Sequence, residues 1–491
     1  MRASGILLPI SSLPGRWGIG TLGQTAFRFI DFLQASGQTY WQILPIGPTG
    51  YGDSPYQSFS AFAFNPYFID PDLLAQDGFL TPSEIQAHRP TCDTNCIDYG
   101  DLYNNRHDLL DRASQRLSQN DPDFVSFCTN NNFWLNNYSL FMALKEENHQ
   151  CSWFSWPDPV RLRQPDALDQ ATLRLAPRIH YWNSVQYYFA RQWSALKTYA
   201  QEHGISIIGD IPIYVSPDSS DVWADPDLFQ LDENRHLALV AGCPPDAFAA
   251  DGQLWGNPLY DWSAHQTTHY SWWIQRLTHA CTVYDVVRID HFRGLESYFA
   301  IPATEDTARN GFWCKGPGMD FIRAIQRGVP QAKLIAEDLG FLTQEVKQLL
   351  ADSGYPGMNV LQFAFDSRES GDYMPYNYLR NSVTYTGTHD NTTIAAWVQE
   401  ALPQDVQKAQ DYMNCSREAL PDAFIRAALA CASDTVIIPM QDWLGLGAEA
   451  RMNTPSTTAR NWQWRMDPNA ASKQLSQHIR NYTALYGRLP D

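Results

Sequence analysis

The chain has 491 residues, with 35 lysines and arginines against 53 aspartates and glutamates, a formal net charge of −18. That surplus of negative charge argues against nucleic acid and anionic membranes as partners and suits a neutral substrate. No apolar run approaches the roughly 20 residues of a membrane span, and the length is reachable by a single barrel domain with insertions, taken as residues 1–491. The apolar segment at the N-terminus is too short for a signal peptide and reads as a first strand. The nine cysteines, odd in number and scattered, argue against a disulfide framework and for a reducing, cytoplasmic location. Cys92 and Cys96 are the only close pair, and without a second pair they make a poor zinc site.

A strand at 5–11 opens the chain. A Pro/Gly loop follows, then an amphipathic helix with Leu22, Ala26, Phe29, Ile30 and Leu33 on one face and Gly37 as its stop. A second strand at 40–46 makes a β-α-β opening, which implies a parallel sheet. The loop Gly47-Pro48-Thr49-Gly50-Tyr51-Gly52-Asp53-Ser54-Pro55-Tyr56 lacks the Gly-Lys-Ser/Thr ending of a phosphate loop. Tyr51 or Tyr56, with Tyr56 favoured, supplies a flat platform for a ring. Residues 66–180 break the alternation and read as a mainly helical insertion, with a capping box at Thr81-Pro82-Ser83-Glu84 and long helical patterns at 101–118 and 122–147. A further helix carries Val185, Phe189, Trp193, Leu196 and Ala200 on one face, which reads as core rather than as ligand contacts. After a third strand at 205–215, residues 216–275 read as an irregular insertion carrying a substrate loop. Strands four to eight fall at 286–290, 333–337, 358–365, 382–390 and 434–440, with helices between them. Eight such strands predict a (β/α)8 barrel, and the 27 residues after Trp464 are too few for an appended all-β domain.

Four of these strands end in an acid. Asp210 closes Ile207-Ile208-Gly209-Asp210, Asp290 closes Val287-Arg288-Ile289-Asp290, Glu337 closes Leu334-Ile335-Ala336-Glu337, and Asp390 closes the run through Thr388-His389-Asp390. An apolar run that ends in a charge is a buried parallel strand surfacing at its C-terminal end, where barrel enzymes carry their active sites. Side chains at i and i+2 share a face, so Arg288 and Asp290 point together, and the guanidinium favours an ionised Asp290. Glu337 has no adjacent cation, and burial near a second carboxylate would keep it protonated. One protonated and one ionised carboxyl, with aromatic platforms and a neutral ligand, suggest glycosidic bond chemistry. The residues leave a competing reading open, a magnesium site built from Asp, Glu and His.

Beyond the spacing there is a resemblance. Arg288-Ile289-Asp290-His291-Phe292-Arg293-Gly294, Ala336-Glu337-Asp338-Leu339-Gly340 and Thr388-His389-Asp390-Asn391 resemble motifs of the 4-α-glucanotransferases, or amylomaltases, of glycoside hydrolase family 77. So do Gly50-Tyr51-Gly52-Asp53-Ser54-Pro55-Tyr56, Gly209-Asp210-Ile211-Pro212, Pro244-Pro245-Asp246, Gly252-Gln253-Leu254-Trp255-Gly256 and Asn461-Trp462. The third-strand motif departs from the wider α-amylase clan, since Tyr214-Val215 stands where the clan usually carries Asn-His. The resemblance implies a (β/α)8 fold without a C-terminal β domain and a retaining transfer among α-1,4-glucans and maltooligosaccharides. Neither metal nor organic cofactor is needed. Asp290 would be the nucleophile, Glu337 the acid/base and Asp390 the third carboxylate. Tyr56, Asp210, Arg288 and His389 would line the subsite of the cleaved sugar, Gln253 and Trp255 would meet the glucan chain, and Asn461 would bind substrate. Retention requires carboxyls about 5–5.5 Å apart.

Overall fold

Short runs of β-branched and aliphatic residues, apolar on both faces, form the parallel core, as expected for strands covered on each side. The computed structural model describes residues 2–50, 52–90, 95–245, 250–340, 342–368, 373–457 and 460–490; Tyr51, Cys92, Asp246, Ala247 and Phe248 lie outside the described residues. Twelve strands are numbered in chain order. They are β1 Ala3–Leu7, β2 Tyr40–Gln42, β3 Ser206–Ile211, β4 Leu239–Cys243, β5 Gln253–Pro258, β6 Val286–Ile289, β7 Ser297–Pro302, β8 Phe312–Lys315, β9 Leu334–Ala336, β10 Gly357–Val360, β11 Ser382–Tyr385 and β12 Thr435–Pro439.

Eight of them pair in parallel in the order β10-β11-β12-β1-β2-β3-β6-β9. The seam between β9 and β10 is closed by two bonds. Ala336 N–H donates to the Pro356 carbonyl at 2.9 Å, and Met358 N–H donates to Asp338 Oδ1 at 2.7 Å. This is the (β/α)8 barrel expected from the strand pattern, a fold in which inward side chains make a packed core. Leu7, Ile208, Ile335, Met358, Val383, Tyr385 and Ile437 fill it. Helices pack outside. Helix Gln24–Ala35 buries Ala26, Phe29, Ile30 and Leu33, each large side chain contributing on the order of 2 kcal/mol. Leu22 is buried just ahead of that helix's N-cap, Gly23.

Several strands are shorter than expected, because pairing on both sides ends where the rim loops splay apart. The run at 358–365 is strand only to Val360, and Leu361–Phe365 is a 3-10 turn. The insertion after β2 is helical, with helices Tyr99–Ser114, Pro122–Asn130, Asn132–Glu147 and Pro165–Arg174 leading into Ala176–Glu202. Thr81 and Glu84 form the capping box. The pattern at 122–147 is two helices, broken at Asn131, whose φ and ψ of −109° and 10° leave the helical region.

Residues 216–275 are not wholly irregular. They hold β4 and β5, which join β7 and β8 in an antiparallel sheet ordered β5-β4-β7-β8. Two local hairpins, β4–β5 and β7–β8, are joined by the distant pairing of β4 with β7, in which Val240 faces Ile301. This sheet stands at the rim, beside the turn that follows β6. No helix is long and apolar enough to cross a membrane among the described residues.

Candidate active site

Alternation along β6 sorts its side chains. Val287 and Ile289 point outward into the core under the helices, while Val286 and Arg288 point into the barrel. Arg288 pairs in register with Asp210 on β3. Its Nη1 donates to both oxygens of Asp210, at 2.8 and 2.7 Å, and to Asp290 Oδ1 at 2.9 Å; its Nε meets Met358 Sδ at 3.3 Å. Arg288 and Asp210 are almost wholly buried. The expected shared face of Arg288 and Asp290 is therefore real, and Asp210 completes a charged layer above the apolar barrel core.

Asp290 follows β6 directly, its N–H donating to the Ile211 carbonyl at 3.0 Å. The next residue, His291, turns into the left-handed region with φ of 49°, a costly conformation for a residue with a Cβ. That turn aims the His291 N–H at Glu337 Oε2, 2.6 Å away, while Leu339 N–H donates to Oε1 at 2.7 Å. Glu337 is thus held by two backbone donors and is 8% exposed. Burial pushes its carboxyl up to about 7, with Arg288 opposing and Asp290 adding to the rise. Burial also raises Asp290, to about 6, against the pull of Arg288. The expectation that Arg288 alone would hold Asp290 low is corrected by desolvation, which raises both carboxyls.

The third carboxylate behaves differently. Burial opposes its ionisation, but His389, Asn453 and Arg288 outweigh burial and bring Asp390 down to about 2. Asn453 Nδ2 donates to Asp390 Oδ1 at 2.6 Å, and His389 Nε2 lies 3.4 Å from Oδ2. Burial lowers the His389 imidazole, and Asp390 more than reverses this, so its pKa is raised. Tyr56 stacks on His389 with ring centroids 5.0 Å apart, and its hydroxyl donates to Asp210 Oδ2 at 2.8 Å. Tyr56, Asp210, Arg288, Asp290, His389 and Asp390 therefore form one contiguous patch at the C-terminal rim. A cavity opens beside it between Tyr56, Asp210, Pro212 and Tyr214.

Gln253 and Trp255 lie on strand β5, with Trp255 Nε1 donating to Gln253 Oε1 at 3.0 Å. The Trp255 ring stands edge-on to His291 at 4.8 Å, which brings β5 against the turn that carries Asp290. Asn461 is not in contact with the carboxylates. Its Oδ1 accepts from Thr454 N–H at 3.0 Å and its Nδ2 donates to the Thr457 carbonyl at 2.8 Å, so it staples the loop after β12. That loop presents Trp462 to Tyr56 and His389, with centroids 6.0 and 5.9 Å away. Asn453, Arg451 and Trp462 were not assigned from sequence. The stretch Met452-Asn453-Thr454-Pro455 after the last strand was the available signal, but it does not say which side chain reaches Asp390. Among the described residues no group of three or more His, Cys, Asp or Glu side chains is arranged to hold a metal ion.

A family model described as 4-alpha-glucanotransferase matches residues 8–471. The 4-alpha-glucanotransferase of Clostridium butyricum is 45% identical over 483 residues, 98% of this chain and 99% of that protein. The enzyme of the same name from Thermus thermophilus is 42% identical over 492 residues, 98% of this chain and 97% of its own length. A solved structure, the amylomaltase from Streptococcus agalactiae in complex with acarbose, matches with a TM-score of 0.96 at 38% identity over the whole of both chains.

Proposed function

From the premise that this chain belongs to the 4-alpha-glucanotransferases, we propose that it moves α-1,4-glucan segments from a donor to the 4-hydroxyl of an acceptor glucan or glucose by a retaining double displacement. The observation that carries this reading is geometric: Arg288 donates to Asp290 Oδ1 at 2.9 Å, and the buried Glu337 carboxyl beside it is held by the N–H groups of His291 and Leu339 at 2.6 and 2.7 Å. Burial raises both carboxyls, but only Asp290 accepts a hydrogen bond from the Arg288 guanidinium, which marks it as the nucleophile and leaves Glu337, held by backbone N–H groups, as the acid. Arg288 holds Asp290 Oδ1, leaving Oδ2 to attack the anomeric carbon. As the C1–O bond breaks, the Glu337 proton passes to the departing glucan oxygen, and a covalent glucosyl-enzyme forms. Glu337, now ionised, takes the proton from the acceptor 4-hydroxyl, whose oxygen displaces Asp290 and restores the original configuration. The two carboxyls must stand about 5–5.5 Å apart for this outcome.

Asp390, ionised throughout, binds hydroxyls of the sugar being cleaved. Asp210, Arg288, His389 and Tyr56 line that subsite, and Trp255 with Gln253 meets the glucan chain beyond it. Asn461 acts through its loop, by holding Trp462 over the Tyr56–His389 stack. The acarbose bound by the Streptococcus agalactiae amylomaltase supports an oligosaccharide ligand. The free thiols of Cys128, Cys151, Cys281, Cys314, Cys415 and Cys431 support a cytoplasmic location. The test is purified protein with maltotriose alone. Longer maltooligosaccharides plus glucose, with little rise in total reducing ends, are expected. Reducing ends rising with every cleavage, and no longer products, would make water the acceptor and the protein a hydrolase.

A further inference from the structure

After β12 the chain returns to the rim and lies along the turn that carries His389 and Asp390. Three hydrogen bonds join the two segments. Asn453 Nδ2 donates to Asp390 Oδ1 at 2.6 Å, Arg451 Nη2 donates to the Asp390 carbonyl at 2.8 Å, and Asn453 N–H donates to the His389 carbonyl at 3.1 Å. The strap is itself anchored. Arg451 Nε donates to the Asn453 carbonyl at 2.8 Å, Trp462 N–H donates to the Met452 carbonyl at 2.7 Å, and the Tyr99 hydroxyl, from the helical insertion, donates to the Trp462 carbonyl at 2.9 Å. We infer that Asn453 is a positioning residue that fixes the orientation of the Asp390 carboxylate for the sugar.

The inference rests on the reading of Asp390 as the carboxylate that holds hydroxyls at the cleaved residue. The Asp390 side chain is half-exposed on a turn past the end of β11, so core packing does not hold its rotamer. A carboxylate free to rotate would have to be ordered at every encounter, at an entropic cost. Asn453 on Oδ1 and His389 near Oδ2 remove that freedom. The choice of donor also matters. His389, Arg288 and Arg451 face Asp390 as cationic or ionisable groups, and Asp290 and Tyr56 face it as acids. An amide adds a donor without adding a positive charge, so Asp390 keeps its negative charge for the cationic sugar of the transition state, and the amide donates at every pH.

The experiment compares Asn453→Ala, Asn453→Asp and Asp390→Asn in maltotriose transfer across the pH range. Asn453→Ala is expected to lower kcat on the order of 10- to 100-fold, the loss expected for one hydrogen bond to a charged group, with a much smaller change in KM. Asn453→Asp keeps the shape, so it stays informative even if the alanine variant folds poorly. Its carboxyl donates to Asp390 only while protonated, and two facing carboxylates resist joint ionisation. Its rate relative to Asn453→Ala should therefore rise as pH falls. Wild-type kcat in Asn453→Ala, or a ratio of the two variants that does not change with pH, overturns the positioning role. If Asp390→Asn is inactive while Asn453→Ala is unimpaired, only this inference fails. If Asp390→Asn itself turns over normally, the reading of Asp390 fails and the inference falls with it.

Discussion

At the scale of single residues, burial raises the facing carboxyls Glu337 and Asp290, while His389 and Asn453 hold Asp390 down. Glu337 rises from 4.5 to about 7 because it is buried beside Asp290, and Asp290 rises to about 6 despite Arg288. The proposed transfer needs Asp290 ionised and Glu337 protonated. The rate should therefore fall below about pH 6 as Asp290 takes up a proton, and fall above about pH 7 as Glu337 loses one. A pH profile of kcat/KM with a single limb, or with both limbs outside this window, contradicts the assignment. The same shift acts on stability. A carboxyl whose pKa is raised on folding stabilises the native state below its unfolded value and loses that contribution as pH rises through the folded value. Glu337→Gln removes the loss. Its melting temperature relative to wild type should climb between about pH 4.5 and pH 7, by the equivalent of up to about 3 kcal/mol, and a constant difference would mean that Glu337 is not raised.

At the scale of elements, each functional side chain depends on the strand beneath it. Gly209 precedes Asp210 on β3, and a Cβ there would collide with the buried Tyr284 ring. Gly209→Ala should cost about 1–3 kcal/mol, as overpacking does, and should lower activity by displacing Asp210. An unchanged denaturation midpoint would show that Tyr284 has room to give. Asp210, Asp290 and Glu337 were legible because each closes an apolar run at or just past its strand, Asp390 because it follows a β-branched one, and the Arg288–Asp290 face followed from two-residue alternation. Strands β4, β5, β7 and β8 were not, because they are interrupted by small or polar residues and the sheet is joined only by the pairing of β4 with β7 across β6. The contact between Asn453 and Asp390 spans 63 residues and leaves no local pattern at either end. Asn461 was tied to substrate by its motif, whereas its amide is spent within its own loop.

At the scale of the whole molecule, Arg488 ties the last helix, Lys473–Leu485, to the strands where the sheet joins first to last. Its fully buried guanidinium donates to the carbonyls of Leu429 at 2.8 Å, Ser433 at 3.0 Å and Ala3 at 3.1 Å. Arg488→Ala strands those buried acceptors and should destabilise the protein by at least about 3 kcal/mol, read as a fall in urea midpoint. Arg488→Lys should recover part of the loss, and a neutral alanine variant would mean water replaces the guanidinium.

The pairing of β1 with β12, Ala3 opposite Thr435, also bears on how the molecule is made. On the ribosome β1 emerges first and its neighbour on one side almost last, so that edge stays bare through nearly the whole of synthesis. Contacts so distant along the chain form slowly, and bare edges invite pairing with other chains. Asn453 and Arg451 emerge later still. A nascent chain therefore displays every rim acid before the segment that braces Asp390 has left the exit tunnel.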